Sequence, residues 1–145
     1  MASVKLILAN KGPHVHKVEK SSTVRDAAVK MNEHKVGALV VMEGARIAGV
    51  FTERDVLRRI VAEGRDPATT SVGEVMTVDV VCCREETKLD EARSVFKNRR
   101  IRHLPVVNER RELVGMISIG DLNAFESTDQ EMTIQSLQEY LYGRT

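Results

Sequence analysis

The sequence predicts a mixed α/β (α+β) fold: two copies of one β-α-β-β-α unit packed as a pseudo-twofold pair, followed by a C-terminal helix. Three observations carry this reading. The stretch 23–59 matches the stretch 88–125 in register on both sides of a single inserted residue. Each stretch follows a helical spacing of apolar residues with two short apolar runs. Each then closes on one pattern: a glycine, two apolar residues, a hydroxyl residue and, three positions on, an aspartate.

The elements follow in chain order. Val4 to Leu8 reads as one helical turn leading into the first repeat, and His14 to Val18 as a short strand. Ser22 or Thr23 can cap a helix whose apolar face is Val24, Ala27, Ala28 and Met31. The runs Ala38 to Met42 and Ile47 to Phe51, separated by a polar turn, read as a hairpin partly buried on both faces. A helix from Glu53 to about Ala62 follows, then a polar connection, Glu63 to Ser71. The second copy repeats this order: a leading turn at Val72 to Met76 and a strand at Asp79 to Cys83. A helical face of Leu89, Ala92, Val95 and Phe96 comes next, then runs at His103 to Val107 and Leu113 to Ile117 and a helix from Ile119 to Phe125. With an offset of 65, Val24 falls on Leu89, Met31 on Phe96 and Leu39 on Leu104. After the gained residue in the turn Asn108 to Glu112, an offset of 66 places Gly49 on Gly115, Thr52 on Ser118 and Asp55 on Asp121. A turn is where a duplication tolerates an insertion. Pro105 marks a place where a backbone N–H is not needed, such as a sheet edge.

The divisions are therefore 4–63 for the first repeat, 72–126 for the second and 128–145 for the terminal helix. Each repeat is too small to bury its own sheet, so the two are expected to pack on each other. In the tail, Met132, Leu137, Leu141 and either Ile134 or Tyr140 can share a face, with Gly143 as a C-cap. That helix either closes the core or docks on a second subunit.

Composition excludes several classes. At 145 residues with 42% hydrophobic content and no tryptophan, the core is built from Val, Leu, Ile and Ala. A net charge of +1 argues against broad nucleic-acid binding, which needs a basic surface. No apolar run approaches the roughly 20 residues that span a bilayer, so no membrane association is expected. The N-terminus carries no signal-peptide pattern and the two cysteines, Cys82 and Cys83, are adjacent, so a reducing cytoplasm is the expected location. The vicinal pair is read as two small strand residues.

The chemistry sits in Gly49-Val50-Phe51-Thr52-Glu53-Arg54-Asp55 and Gly115-Met116-Ile117-Ser118-Ile119-Gly120-Asp121. In one reading these are capping boxes, with Thr or Ser as N-cap and Asp in the first turn. In the other, the free N–H groups of the helix start receive a phosphate, the hydroxyl adds a donor, and the carboxylate accepts the paired hydroxyls of a ribose. Neighbouring apolar strands would then hold a flat base.

With its paired motif and the stretch Ile101-Arg102-His103-Leu104-Pro105-Val106, the chain resembles tandem CBS domains (a Bateman module) of the stand-alone two-CBS type, from about Val4 to Phe125. The resemblance implies two sheets packed across a cleft, with adenosyl ligands there: AMP, ADP, ATP, NAD or S-adenosylmethionine. It implies disc-shaped homodimers. It assigns Asp55 and Asp121 to ribose hydroxyls and Thr52 and Ser118 to ribose or phosphate. Val18 and Val80, Val81 and Cys82 would line the adenine pockets, and Arg102 and His103 would contact phosphate. The first repeat has Gly37 and Ala38 at the matching positions. Two unequal sites are thus expected: a mononucleotide at Asp121, and a different or larger adenosyl ligand at Asp55, where less positive charge is expected.

Arg54 and Arg58, four apart on a helix, make a solvated face or meet a phosphate or a subunit. Arg54 and Pro105 complete the candidate ligand-binding set. Arg99, Arg100 and Arg102 lean towards anion binding, whereas Arg110 and Arg111 are solvent-facing turn residues. His14 and His16 lack the further ligands of a metal site. No nucleophile–base pair, metal set or Walker loop is legible, so no catalysis is expected. The function read from the sequence is a sensor of adenine nucleotides acting in trans on an unnamed regulated protein. The competing reading, a structural dimerisation module with degenerate sites, is opposed by the retention of both Asp55 and Asp121.

Overall fold

The computed structural model describes residues 2–12 and 14–127. The terminal helix expected over 128–145 lies outside the described residues. The elements run α1 (Val4–Lys11), β1 (Lys17–Glu19), α2 (Val24–His34), β2 (Ala38–Glu43), β3 (Arg46–Thr52), α3 (Glu53–Asp55, continuing as a π-helix over Val56–Val61), α4 (Val72–Val75), α5 (Leu89–Arg99), β4 (His103–Val107) and β5 (Leu113–Ser118). Residues 119–127 are helical and are termed α6.

Local chemistry accounts for the helices. Of the two candidate caps for α2 it is Thr23 that acts, its hydroxyl accepting from the Asp26 N–H at 3.1 Å. Val24, Ala27 and Met31 are buried and Ala28 half-buried, as the helical spacing requires. Helices α2 and α5 stop at equivalent positions, where Lys35 (φ 53°) and Arg100 (φ 54°) adopt the left-handed conformation. Neither is glycine, so each stop costs about 1 kcal/mol. The duplication has kept both.

Strand β2 is the middle of a three-stranded sheet, parallel to β1 and antiparallel to β3. It is buried on both faces from Ala38 to Met42. The second sheet has only β4 and β5. The strand expected at Asp79 to Cys83 is not formed; that segment touches β4 through a single bridge between Cys83 and Val106. Pro105 is the reason. In the first repeat the Val40 N–H donates to the His16 carbonyl at 3.1 Å and carries the parallel ladder upstream. Pro105 occupies the position of Val40 and Val81 that of His16, and a proline has no N–H to donate. The ladder ends with the two bonds about Cys83, each 2.9 Å. The expectation of an unneeded N–H at Pro105 holds, and its consequence is the lost strand.

The leading segments cross between the halves. Val4, Ile7 and Leu8 of α1 are buried with Leu89, Phe96, Leu104, Ile117 and Leu122 of the second repeat. Val72, Val75 and Met76 of α4 are buried with Val24, Met31, Leu39, Phe51 and Ile60 of the first. Each core is thus completed by a helix from outside its own repeat. α1 is also longer than the single turn expected, running to Lys11 before Gly12 (φ 94°) ends it. Among the described residues no helix is long and apolar enough to cross a membrane.

Candidate functional site

Strand β3 delivers Thr52 to the start of α3, where the motif forms a reciprocal cap. The Thr52 N–H donates to Asp55 Oδ2 at 2.9 Å and the Asp55 N–H donates to Thr52 Oγ1 at 3.3 Å. Asp55 is only 6% exposed. A buried carboxylate needs partners, and three more are present. The Thr52 hydroxyl lies 3.2 Å from Oδ2, the Thr77 hydroxyl donates to Oδ1 at 3.3 Å, and Arg59 Nε is 3.8 Å from Oδ1. Arg59 Nη1 also donates to the carbonyls of Val75 and Met76, both at 3.0 Å, tying α3 to the end of α4. The π-helical winding that follows Asp55 carries Arg58 and Arg59.

In front of this cap opens a cleft of about 580 Å³, lined from both sheets. Thr52, Arg54 and Asp55 of the first repeat face it with Val80, Val81, Arg102, His103, Pro105 and Ser118 of the second. Asp121, Val18 and Cys82 do not line it. Val18 packs against the core of the first repeat and Cys82 is exposed. The sequence-based expectation paired Arg102 and His103 with Asp121 and left Asp55 with little positive charge. The structure adds that both line the cleft of Asp55, because the cleft is built across the repeats, while His103 also lies beside Ser118 of the second motif. Arg58, Arg59 and Arg100 join them. Among the described residues Arg54, Arg58, Arg100 and Arg102 have no carboxylate partner within ion-pair distance. Arg58 and Arg100 had been signalled only as members of basic clusters. Thr77 carries no sequence signal, since Asp55 is 22 residues away, whereas Arg59 stands four residues after Asp55, a spacing that could have pointed to it.

Burial lowers the pKa of His103 and Lys11 adds to this, against the opposing pull of Asp121 and Glu53. The floor of the cleft beside β4 is the unladdered segment at Val80 and Val81, freed by Pro105.

The second motif forms the same cap. The Ser118 N–H donates to Asp121 Oδ2 at 2.8 Å and the Asp121 N–H to Ser118 Oγ at 3.0 Å. Its surroundings differ. The Asp121 side chain is 27% exposed and pairs with the Lys11 ammonium at 2.8 Å. Partial burial would raise its pKa, but the hydrogen bonds from Lys11 and Ser118 outweigh that and hold the carboxyl below its ordinary value.

Burial pushes the Cys83 thiol up to about 12 and raises that of Cys82, so neither is an activated nucleophile. His14, His16 and His34 form a ring cluster, T-shaped at 4.7 Å and stacked at 4.1 Å between centroids. No group of side chains among the described residues is arranged to hold a metal ion.

Comparison with known proteins agrees with this architecture. The CBS domain family model matches residues 11–62 and 72–126. The mitochondrial CBS domain-containing protein CBSX3 of Arabidopsis thaliana is 39% identical over 126 residues, covering 83% of this chain; the chain spans 61% of that relative's length. The structure of a protein with CBS domains from Burkholderia ambifaria MC40-6 superposes with a TM-score of 0.85 at 38% identity, covering 89% of this chain and 96% of the other. The CBS domain protein PAE2072 from Pyrobaculum aerophilum, solved in complex with AMP, gives a TM-score of 0.75 at 27% identity, covering 83% and 89%. With two repeats of one capped strand–helix motif closing on a shared cleft, and a family match to each repeat, this chain belongs to the CBS-domain family.

Proposed function

We propose that the protein is a regulatory module that binds an adenine nucleotide (AMP, ADP, ATP or NAD) in the Asp55 cleft and acts in trans on a partner protein. One observation carries the reading: several guanidinium groups without carboxylate partners surround a helix start and a buried carboxylate in one cleft. Guanidinium forks match phosphate, and Asp55 matches vicinal hydroxyls. Arg54, Arg58, Arg100 and Arg102 hold the phosphates, Asp55 and Thr52 the ribose, and Val80, Val81 and Pro105 the base. His103, which also lines the cleft, supplies one hydrogen bond. The AMP complex of the Pyrobaculum protein supports an adenosyl ligand. Calorimetric titration with AMP, ATP, NAD and S-adenosylmethionine tests this: saturable binding of at least one is expected, and failure of all four ends the proposal.

We also propose a homodimer through the groove between α2 and the π-helical turns, lined by Val24, Ala28, Val29, Val56, Ile60 and Val61. Val29 and Val61 are 48% and 67% exposed there, apolar surface that a monomer leaves in water. Light scattering should report twice the chain mass, and Val61→Asp should halve it. A single-chain mass for the unaltered protein at every concentration would contradict the pairing.

A further inference from the structure

The two motifs are approached from outside by counterpart segments. A Cβ on Gly49 would lie 2.8 Å from Met76 Sδ, and one on Gly115 would lie 2.7 Å from Leu8 Cδ2, so Met76 and Leu8 occupy equivalent seats. Beyond these seats the chain diverges. After Met76 it leaves the helix, and Thr77 pairs with Val50 through two bonds of 2.9 and 3.0 Å. The Thr77 hydroxyl then reaches Asp55. After Leu8 the helix continues to Lys11, and Gly12 stops it there. The Lys11 ammonium donates to the carbonyl of Met116, the counterpart of Val50, at 2.9 Å, and to Asp121 Oδ2 at 2.8 Å. One ammonium group therefore takes the place of both the N–H and the hydroxyl of Thr77.

The substitution is not neutral. Thr77 is neutral and stays at the wall of the open cleft, and the cation nearest Asp55, Arg59 at 3.8 Å, is also tied to the Val75 and Met76 carbonyls. Lys11 brings a full positive charge onto the carboxylate that would otherwise receive the sugar. We propose that Lys11 is a built-in occupant of the second site: its ammonium sits on Asp121 where ribose hydroxyls would bind, so a nucleotide enters there only by displacing it. The inference rests on the nucleotide reading of the motif and extends it to stoichiometry and to which site is filled first. The pair is partly exposed, at 38% and 27%, so Lys11 competes with a ligand without excluding it absolutely.

Calorimetric titration of the full chain with AMP tests this, comparing the unaltered protein with Lys11→Met, which keeps the stem and removes the charge. The unaltered protein should bind one equivalent in the Asp55 cleft and a second more weakly. In Lys11→Met the second site should tighten by at least about fivefold, the lower range of coupling between linked contacts. The pair Asp55→Asn and Asp55→Asn with Lys11→Met isolates the second site and should show the same gain. Equal affinity at both sites of the unaltered protein would overturn the proposal. So would an unchanged second site in Lys11→Met. A weakened one would make Lys11 a ligand contact and not a competitor. These results leave the nucleotide reading standing, whereas no binding to any variant overturns both.

Discussion

Asp55 and Asp121 end the same motif, cap the same helix start and accept from the same neighbouring N–H, yet they sit in different environments. Asp55 is buried, backed by Thr77 and Arg59, and opens on a cleft edged with unpaired guanidinium groups. Asp121 is more exposed and neutralised by Lys11. Part of the difference lies in the motifs, where Arg54 edges the cleft and its counterpart is Gly120. The rest arises from what reaches each of them from the opposite half: a segment paired at Thr77 in one case, a helix prolonged to Lys11 in the other. Duplicated sites can therefore diverge through residues that belong to neither copy of the motif.

The comparison can be broken most forcefully at the two glycines. A Cβ on Gly49 would stand 2.6 Å from the Thr77 carbonyl oxygen, which is backbone, whereas one on Gly115 would meet only side-chain carbons of Leu8. Gly49→Ala should cost about 3 kcal/mol and Gly115→Ala about 1 kcal/mol, the two ends of the overpacking range, measured by urea unfolding. Next come the aspartates. Asp55→Asn should lower AMP affinity about 100-fold, as expected when hydrogen bonds to a charged group are weakened. Asp121→Asn should leave the tighter of the two affinities within about threefold, because its site is already occupied by Lys11. Comparable losses in both would make the sites equal. A smaller effect is expected for Arg102→Ala, about a tenfold loss together with a shallower dependence of affinity on salt.

The smallest effect is on pH. The folded-state pKa of His103 lies below 6.5, chiefly through burial. The unfolded chain therefore binds more protons in this range, and the stability His103 contributes is full above 6.5 and is lost as pH falls through the folded value. For Asp121 the folded pKa lies below 3.8, so its contribution is full above 3.8 and is lost only as pH falls through that lower value. His103→Gln should flatten the Tm against pH between neutral and mildly acid conditions, by about 2 °C or less. Asp121→Asn should change the profile only in strong acid.

Much of the fold was legible because its signals are local. The apolar spacing of Val24, Ala27 and Met31, the hairpin runs and the cap at Thr52 each depend on residues a few positions apart. The strand at Asp79 to Cys83 was misread because its absence depends on a missing N–H at Pro105, on another strand. Of the candidate site residues, most of those in the motifs and in the Arg102–His103 stretch line one cleft, whereas Val18, Cys82 and Asp121 do not. Their grouping was not legible. Arg102 is nearest in sequence to the Asp121 motif, and only the packing of the halves shows that it also lines the cleft of Asp55.

The sequence by itself determined that there are two units, where each strand turns into a capped helix, and which residue types stand at that turn. Periodicity and capping are settled within a few residues of chain. Only the tertiary structure decided which arginines surround which aspartate, that α1 and α4 complete the opposite cores, and that Lys11 rather than a threonine meets the second motif. Those outcomes depend on the packing of one half against the other, and no short stretch of either half contains them.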